Sequence, residues 1–291
     1  MLDFPLRLSR SMRRLLGALC LAGVAPAYAA SADESLLALE HAQARYEAMH
    51  DSAAYASGLL RVLYEDRAAV PETVEIANTH VRKSFKVPAA MTAMREAMAQ
   101  TPDLPDEQAQ ALARIAKDWA QRDAALRALP ESALAAEGEA MARRMAERQD
   151  ADAIEALLPL MAEPALAEEN VLAAERVYRL MEILVVEGHA QAKAEIELHG
   201  DDGLRSELIH IARATPAEYR ALGQEREVER QRAMFRQRYV LSYLPPEEVR
   251  TLQSIYTSEA GRAKRDALVK AFAARNDADS LSALLGMVDA L

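Results

Sequence analysis

The stretch from Ala165 to Glu187, ALAEENVLAAERVYRLMEILVVE, decides the fold. Within it, Val177, Tyr178, Leu180, Met181, Ile183, Leu184, Val185 and Val186 are apolar and wrap most of a helical circumference, broken only by Arg179 and Glu182. A helix that apolar all round belongs at the centre of a core. The run is too short to cross a bilayer, which takes about 20 apolar residues. Glu168, Glu175, Glu182 and His189 recur every seven residues. They read as the solvated face of this helix, braced by Glu175–Arg179 and Arg179–Glu182 pairs worth a few tenths of a kcal/mol each.

Outward from this helix the chain keeps the same character. Of 291 residues, 61 are Ala and only 10 are Gly, and aromatics make up 5%. No stretch sustains apolar/polar alternation. Ala with long charged side chains favours helix, so the fold class expected is all-α, a multi-helix array of packed helical hairpins. Prolines punctuate it where helices start: Val70-Pro71-Glu72, Leu129-Pro130-Glu131, Glu163-Pro164, Thr215-Pro216-Ala217-Glu218 and Leu244-Pro245-Pro246-Glu247. Ser31-Ala32-Asp33-Glu34 has the form of a capping box. Helices are predicted at 33–50, 52–68, 72–86, 89–100, 105–127, 130–148, 152–162, 165–198, 203–213, 216–243, 246–273 and 278–290. Gln224 to Arg238 alternates Glu and Arg and reads as a helix with a solvated, charge-paired face.

The first 29 residues read as an export signal. Arg7, Arg10, Arg13 and Arg14 are followed by the apolar run Leu15 to Ala25 and by the small-x-small site Ala27-Tyr28-Ala29. Sec export to the periplasm, with cleavage after Ala29 and no stable membrane anchor left behind, is the expected localisation. The signal carries four Arg and one Asp, so the remaining 262 residues hold a formal charge of −13 where the whole chain has −10. Such an acidic chain repels nucleic-acid phosphates and favours a basic protein partner. Cys20, the only cysteine, leaves with the signal, so disulfides, thiol nucleophiles and thiolate metal sites are excluded from the remainder. The domain reading is an N-terminal helical region at 30–163 and a C-terminal one at 164–291.

Two echoes raise a candidate internal duplication. Leu104-Pro105-x-Glu107 with Leu112 and Ile115 matches Leu244-Pro245-x-Glu247 with Leu252 and Ile255, and Arg148-x-Asp150-Ala151-Asp152 matches Arg275-x-Asp277-Ala278-Asp279. Their spacing differs, which speaks against a solenoid.

Phe235-x-x-x-Tyr239, Glu247-Glu248-Val249, Leu252 and Ile255-Tyr256-Thr257-Ser258-Glu259-Ala260-Gly261 together resemble an uncharacterised all-helical domain family of exported bacterial proteins. Its signature is F-x-x-x-Y, then E-E-L, then F-Y-x-S-P-x-G. Val249, Ile255 and Glu259 depart from it. The resemblance spans about 225–285 and implies an exported helical protein without an assigned activity. Physically the same residues read as structural. Glu247 and Glu248 complement a helix N-terminus, Leu252, Ile255 and Tyr256 form a buried face, Ser258 can cap or kink, and Gly261 lets another helix approach.

Candidate chemistry is sparse. Glu47-x-x-His50 and Glu207-x-x-His210 are the weak metal candidates, since residues three apart share a helix face and such pairs build di-metal sites in four-helix bundles. With Glu this frequent, two such spacings arise by chance. There is no phosphate loop, H-E-x-x-H or G-x-S-x-G, so no catalytic residue and no cofactor is assigned. The expected function is an exported binding or protein-interaction module without catalysis, with an inhibitor or immunity-type protein as one version. The alternatives are a metal-dependent or carboxylate-based cell-envelope enzyme, or a lipid or small-ligand carrier.

Overall fold

The computed structural model describes residues 31–64, 70–187 and 223–290, with isolated positions at 194, 198, 203, 206 and 210. The described elements are helical, with no strand among them: α1 (Ala32–Leu39), α2 (Ala42–Leu63), α3 (Val70–Ser84), α4 (Val87–Ala99), α5 (Asp106–Arg127), α6 (Glu131–Glu147), α7 (Ala151–Leu157) with a 3-10 turn at Leu158–Leu160, α8 (Glu163–Glu187), α9 (Gly223–Leu241), α10 (Pro246–Thr257) and α11 (Glu259–Asp289). The all-α array is therefore the fold, and among the described residues no helix is long and apolar enough to cross a membrane.

Helix α8 is central. Val177, Leu180, Met181, Leu184 and Val185 are buried, and α8 packs against α2, α3, α9 and α11. Arg45 of α2 meets Glu163, and Tyr64, just past its end, meets Glu182, so α2 and α8 run parallel. Arg226 meets Glu168 and Arg236 meets Glu163, so α9 runs antiparallel to α8. Helix α1 lies on α5, α4 on α11, and α10 on α5, α7 and α11. The apolar core runs as one cluster from Leu36 to Val288 and crosses the 163/164 boundary without a break.

The sequence reading misplaced two breaks. A helix was expected over 33–50, but the chain turns at Glu40-His41, where His41 sits at φ 50°. A break was expected near 274–277, but α11 continues to Asp289. The polar run there is not a loop, because Asn276 and Asp279 are buried and bonded to Asn170 and to Tyr46 and Arg275. The actual break is at Ser258, whose hydroxyl accepts from Gly261 N–H at 3.0 Å and starts α11.

The echoes separate on the same ground. Pro105 and Pro245 both stand at N-caps with nearly equal backbone angles. Asp150 precedes the short α7, whereas Asp277 lies inside a 31-residue helix. The box at Ser31 is half made. Its hydroxyl accepts from Glu34 N–H, while the Glu34 carboxylate turns to Arg95.

Two polar ties cross the array. Lys264 is 1% exposed and its Nζ lies 2.7 Å from Asp33 and 3.3 Å from the Met98 carbonyl, joining α11 to α1 and α4. Gly261 is pressed by the end of α10, since a Cβ there would lie 1.9 Å from the Ile255 carbonyl oxygen. The close approach is that of the neighbouring helix α10, through its last turn. Gly261→Val is expected to lower stability by about 2–4 kcal/mol through forced separation of α10 and α11, read as a drop in the urea midpoint, while Ala263→Ser in the same helix stays within about 0.5 kcal/mol.

Candidate functional site

The densest chemistry lies where the α1–α2 turn meets α5, α8, α9 and α10. The core face of α5 runs Leu112, Ile115, Trp119, Asp123, Leu126, so a carboxylate occupies an apolar stripe. Glu163 opens α8 with no solvent exposure, and its first turn is compatible with Pro164 because that position needs no N–H donor. His41 lies between these two acids. Its Nδ1 is 3.1 Å from Glu163 Oε2 and its Nε2 is 3.1 Å from Asp123 Oδ2.

Arginines enclose the acids. Arg45 and Arg236 each reach Glu163 Oε1 at 2.9 Å, and Arg127 pairs with Asp123. Glu40 completes the cluster from the other side. Its carboxylate accepts from the Glu163 backbone N–H at 2.7 Å and from the Tyr256 hydroxyl, so it caps the N-terminus of α8 from a distant part of the chain.

The electrostatics follow from this geometry. Burial disfavours charge on His41, but the Glu163 and Asp123 carboxylates overcome it and raise the imidazole to about 9. Burial works against ionised Glu163 as well, and His41 with Arg45 and Arg236 hold it down at about 2. Asp123 is lowered by the same opposition of burial with His41 and Arg127. Burial raises Glu40 despite the N–H and Tyr256 donors, and raises the Tyr256 hydroxyl next to it. His41 is thus an imidazolium whose Nδ1–H is given to Glu163 and whose Nε2 side forms an ion pair with Asp123. It has no free lone pair for a proton or a metal, and its work is to hold Asp123 and Glu163 at a set separation. The left-handed backbone that aims the ring costs on the order of 1 kcal/mol.

The sequence-chosen residues lie elsewhere. Glu47 accepts from Gln43 at 2.8 Å and His50 Nε2 lies 3.0 Å from the Phe85 carbonyl, so the pair does not converge on one point. His210 is exposed and Glu207 is outside the described residues. Among the described residues, no group of three or more His, Cys, Asp and Glu is arranged to hold a metal.

Of the signature residues, Leu252, Ile255 and Tyr256 are buried and Tyr239 stacks edge-on with Tyr243, their centroids 5.2 Å apart. Phe235 is half-buried and lies near Gly138. Glu247 is exposed, whereas burial raises the half-buried Glu248. Tyr256 alone joins the ionic cluster.

The acidic stripe of α8 is not simply solvated. Arg179 does pair with Glu175 and Glu182, but Glu168 bonds Arg226 of α9 and Glu182 accepts from Tyr64. His189 lies outside the described residues. The charged face of α9 is divided: Arg230–Glu227 and Arg232–Glu229 pair along the helix as a solvated face, while Arg236 joins the cluster and Arg238 binds Glu155. Sequence reading missed Glu40, His41, Asp123, Glu163 and Arg236. The charged residue inside the α5 stripe was the one available signal.

No family model matches the chain, and no curated protein and no solved structure is detectably similar to it.

The cluster sets a pH profile. The His41 contribution is complete below about pH 6.5, the ordinary histidine value, and is lost as pH rises through about 9. The Glu163 contribution is complete above about pH 4.5 and is lost as pH falls through about 2. The His41 and Glu163 contributions share a plateau between about 4.5 and 6.5, which the raised Glu40 tilts downward as pH rises above about 4.5. Stability by urea unfolding is therefore expected to be highest toward the acidic end of that window and to fall on both sides of it. Glu163→Gln, which strands His41, Arg45 and Arg236, should cost about 3–5 kcal/mol on that plateau; a loss under 1 kcal/mol would contradict the assigned geometry.

Proposed function

We propose that the chain is an exported helical module that binds a protein partner. The observation carrying this reading is a group of exposed aliphatic side chains at one end of the described helices. Val62 is 74% exposed, Leu63 56% and Val186 41%. The hydrogen bond from Tyr64 to Glu182 sets the C-terminal ends of α2 and α8 side by side, so these aliphatic groups share one end of the molecule. Tyr55, two turns back on α2, adds an aromatic ring at 38% exposure. Burying a Val or Leu side chain in an interface is worth roughly 1.5–3 kcal/mol, and exposed apolar clusters of this kind mark interaction sites.

The ionic cluster fits the same role. Its charged groups are turned toward one another, so it supplies a rigid scaffold for a surface. The arginine-led signal and the Ala27-Tyr28-Ala29 site support export, and the resemblance of residues 235–262 to an exported helical family supports it further. The acidic excess of the chain beyond the signal favours long-range approach of a basic partner.

Two measurements test the reading. Protein recovered from the envelope fraction and sequenced from its N-terminus should begin at Ala30, and a retained Met1 would overturn export. Affinity capture from native envelope extract should recover a stoichiometric partner with the natural chain and lose it with Val62→Asp/Leu63→Asp. Both positions face solvent, so the circular dichroism of this variant should be unchanged. Equal capture by the two proteins would rule out this end as the interface.

A further inference from the structure

A groove of about 490 Å³ runs between α2 and α3, lined by Arg61, Pro71, Val74, Glu75, Asn78, Thr79 and Arg82. Its size falls in the ~300–1,000 Å³ range of small-ligand clefts. Its floor includes Val74, which is buried, so charges above it are poorly screened on one side. Residues 71, 74, 75, 78, 79 and 82 follow helical spacing, so α3 presents one continuous face to the groove while Arg61 comes from α2.

The donors and acceptors in this groove are unbalanced. No carboxylate of a described residue pairs with Arg61 or Arg82, although acids outnumber bases in the chain. Four arginines that approach other helices end on a carboxylate there, Arg45, Arg226, Arg236 and Arg238. Asn78 lies beside Ser57 of α2, its side-chain oxygen 3.5 Å from Ser57 Oγ, and its amide lines the groove. Thr79 adds a hydroxyl. Two guanidinium groups, an amide and a hydroxyl therefore line a space where Glu75 is the only acidic side chain among the described lining residues.

We propose that this groove binds an oxyanion, a carboxylate or a phosphate, between Arg61 and Arg82, with Asn78 and Thr79 as neutral donors. Guanidinium groups match planar carboxylates and phosphates through paired N–H donors, and a bound anion neutralises two like charges that face one space. Glu75 sets an upper limit on affinity by repelling the ligand. The site adjoins the apolar end described above, since Arg61 precedes Val62 and Leu63, but it stands whether or not that end binds a protein.

The test is NMR titration of the purified protein with inorganic phosphate and, separately, with succinate, following the backbone amides of Asn78 and Thr79. Saturable shifts at both residues are expected with at least one probe. Arg61→Ala and Arg82→Ala should each weaken binding about tenfold, Glu75→Gln should tighten it, and Lys117→Ala, an exposed cation on α5, should leave it unchanged. Response to phosphate alone assigns a phosphorylated ligand, and response to succinate alone assigns a carboxylate ligand such as an acidic side chain. Response to both assigns a general oxyanion site. Absence of saturable shifts with either probe, or equal binding by the Arg61→Ala/Arg82→Ala protein, would overturn the proposal. The substituted side chains are exposed, so the fold should survive, and the unchanged amide spectrum outside the groove verifies it.

Discussion

The imidazolium of His41, bridged between Asp123 and Glu163, joins three parts of the chain that are far apart in sequence. The α1–α2 turn, the end of α5 and the start of α8 are bound through one ring, and Arg236 and Tyr256 bring α9 and α10 to the same place. Desolvation makes such a cluster a poor source of net stability compared with apolar packing of equal volume. Its effect is on alternatives. A slip of α8 by one turn would leave several buried charges unpaired, a penalty far greater than that of sliding one aliphatic surface over another.

The apolar core needs that restriction. Much of it is Ala, Leu and Met, side chains that accommodate more than one helix register. Polar ties at separate depths limit the choice: Lys264 on Asp33 and the Met98 carbonyl, Asn276 on Asn170, and Tyr46 with Arg275 on Asp279. Each joins helices distant in sequence. Gly261 and Gly286 act by the opposite means, giving up a side chain where the Ile255 carbonyl and the His80 ring press close.

The all-α class and the central position of Val177 to Val186 were legible because composition and periodicity are local properties of the chain. The proline starts at Pro130, Pro164 and Pro245 were legible for the same reason. The turn at Glu40-His41 was not, because it carries no Gly or Pro and exists only through partners more than 80 residues away. The run from Arg275 to Asp279 misled in the converse way. Its polarity reads as a loop until Asn170 and Tyr46 are known to face it. Asp123 within the apolar stripe of α5 marked a buried charge, but nothing in one helix shows which cation answers it. The Glu-x-x-His spacing illustrates the reverse error, a shared helix face mistaken for a shared target.

Helix α6 stands apart from this economy of pins. Met141 is its one buried side chain among the described residues; beyond it the helix is held by the half-buried Leu134 and Met145, by Arg144, stacked 4.0 Å from the Tyr243 centroid and bonded to Ser242, and by Glu137, which accepts from the Tyr243 hydroxyl. Just past its end, Arg148 donates to the Ser242 and Leu244 carbonyls at the close of α9. A helix attached by side-chain tips over little buried surface belongs to the lowest-energy opening unit of a fold. Its amides would exchange with solvent well before those of α8. Each such excursion would free the Ser242 and Leu244 carbonyls in the turn after α9 while the His41 cluster stayed shut, giving the molecule a soft outer layer over a locked interior.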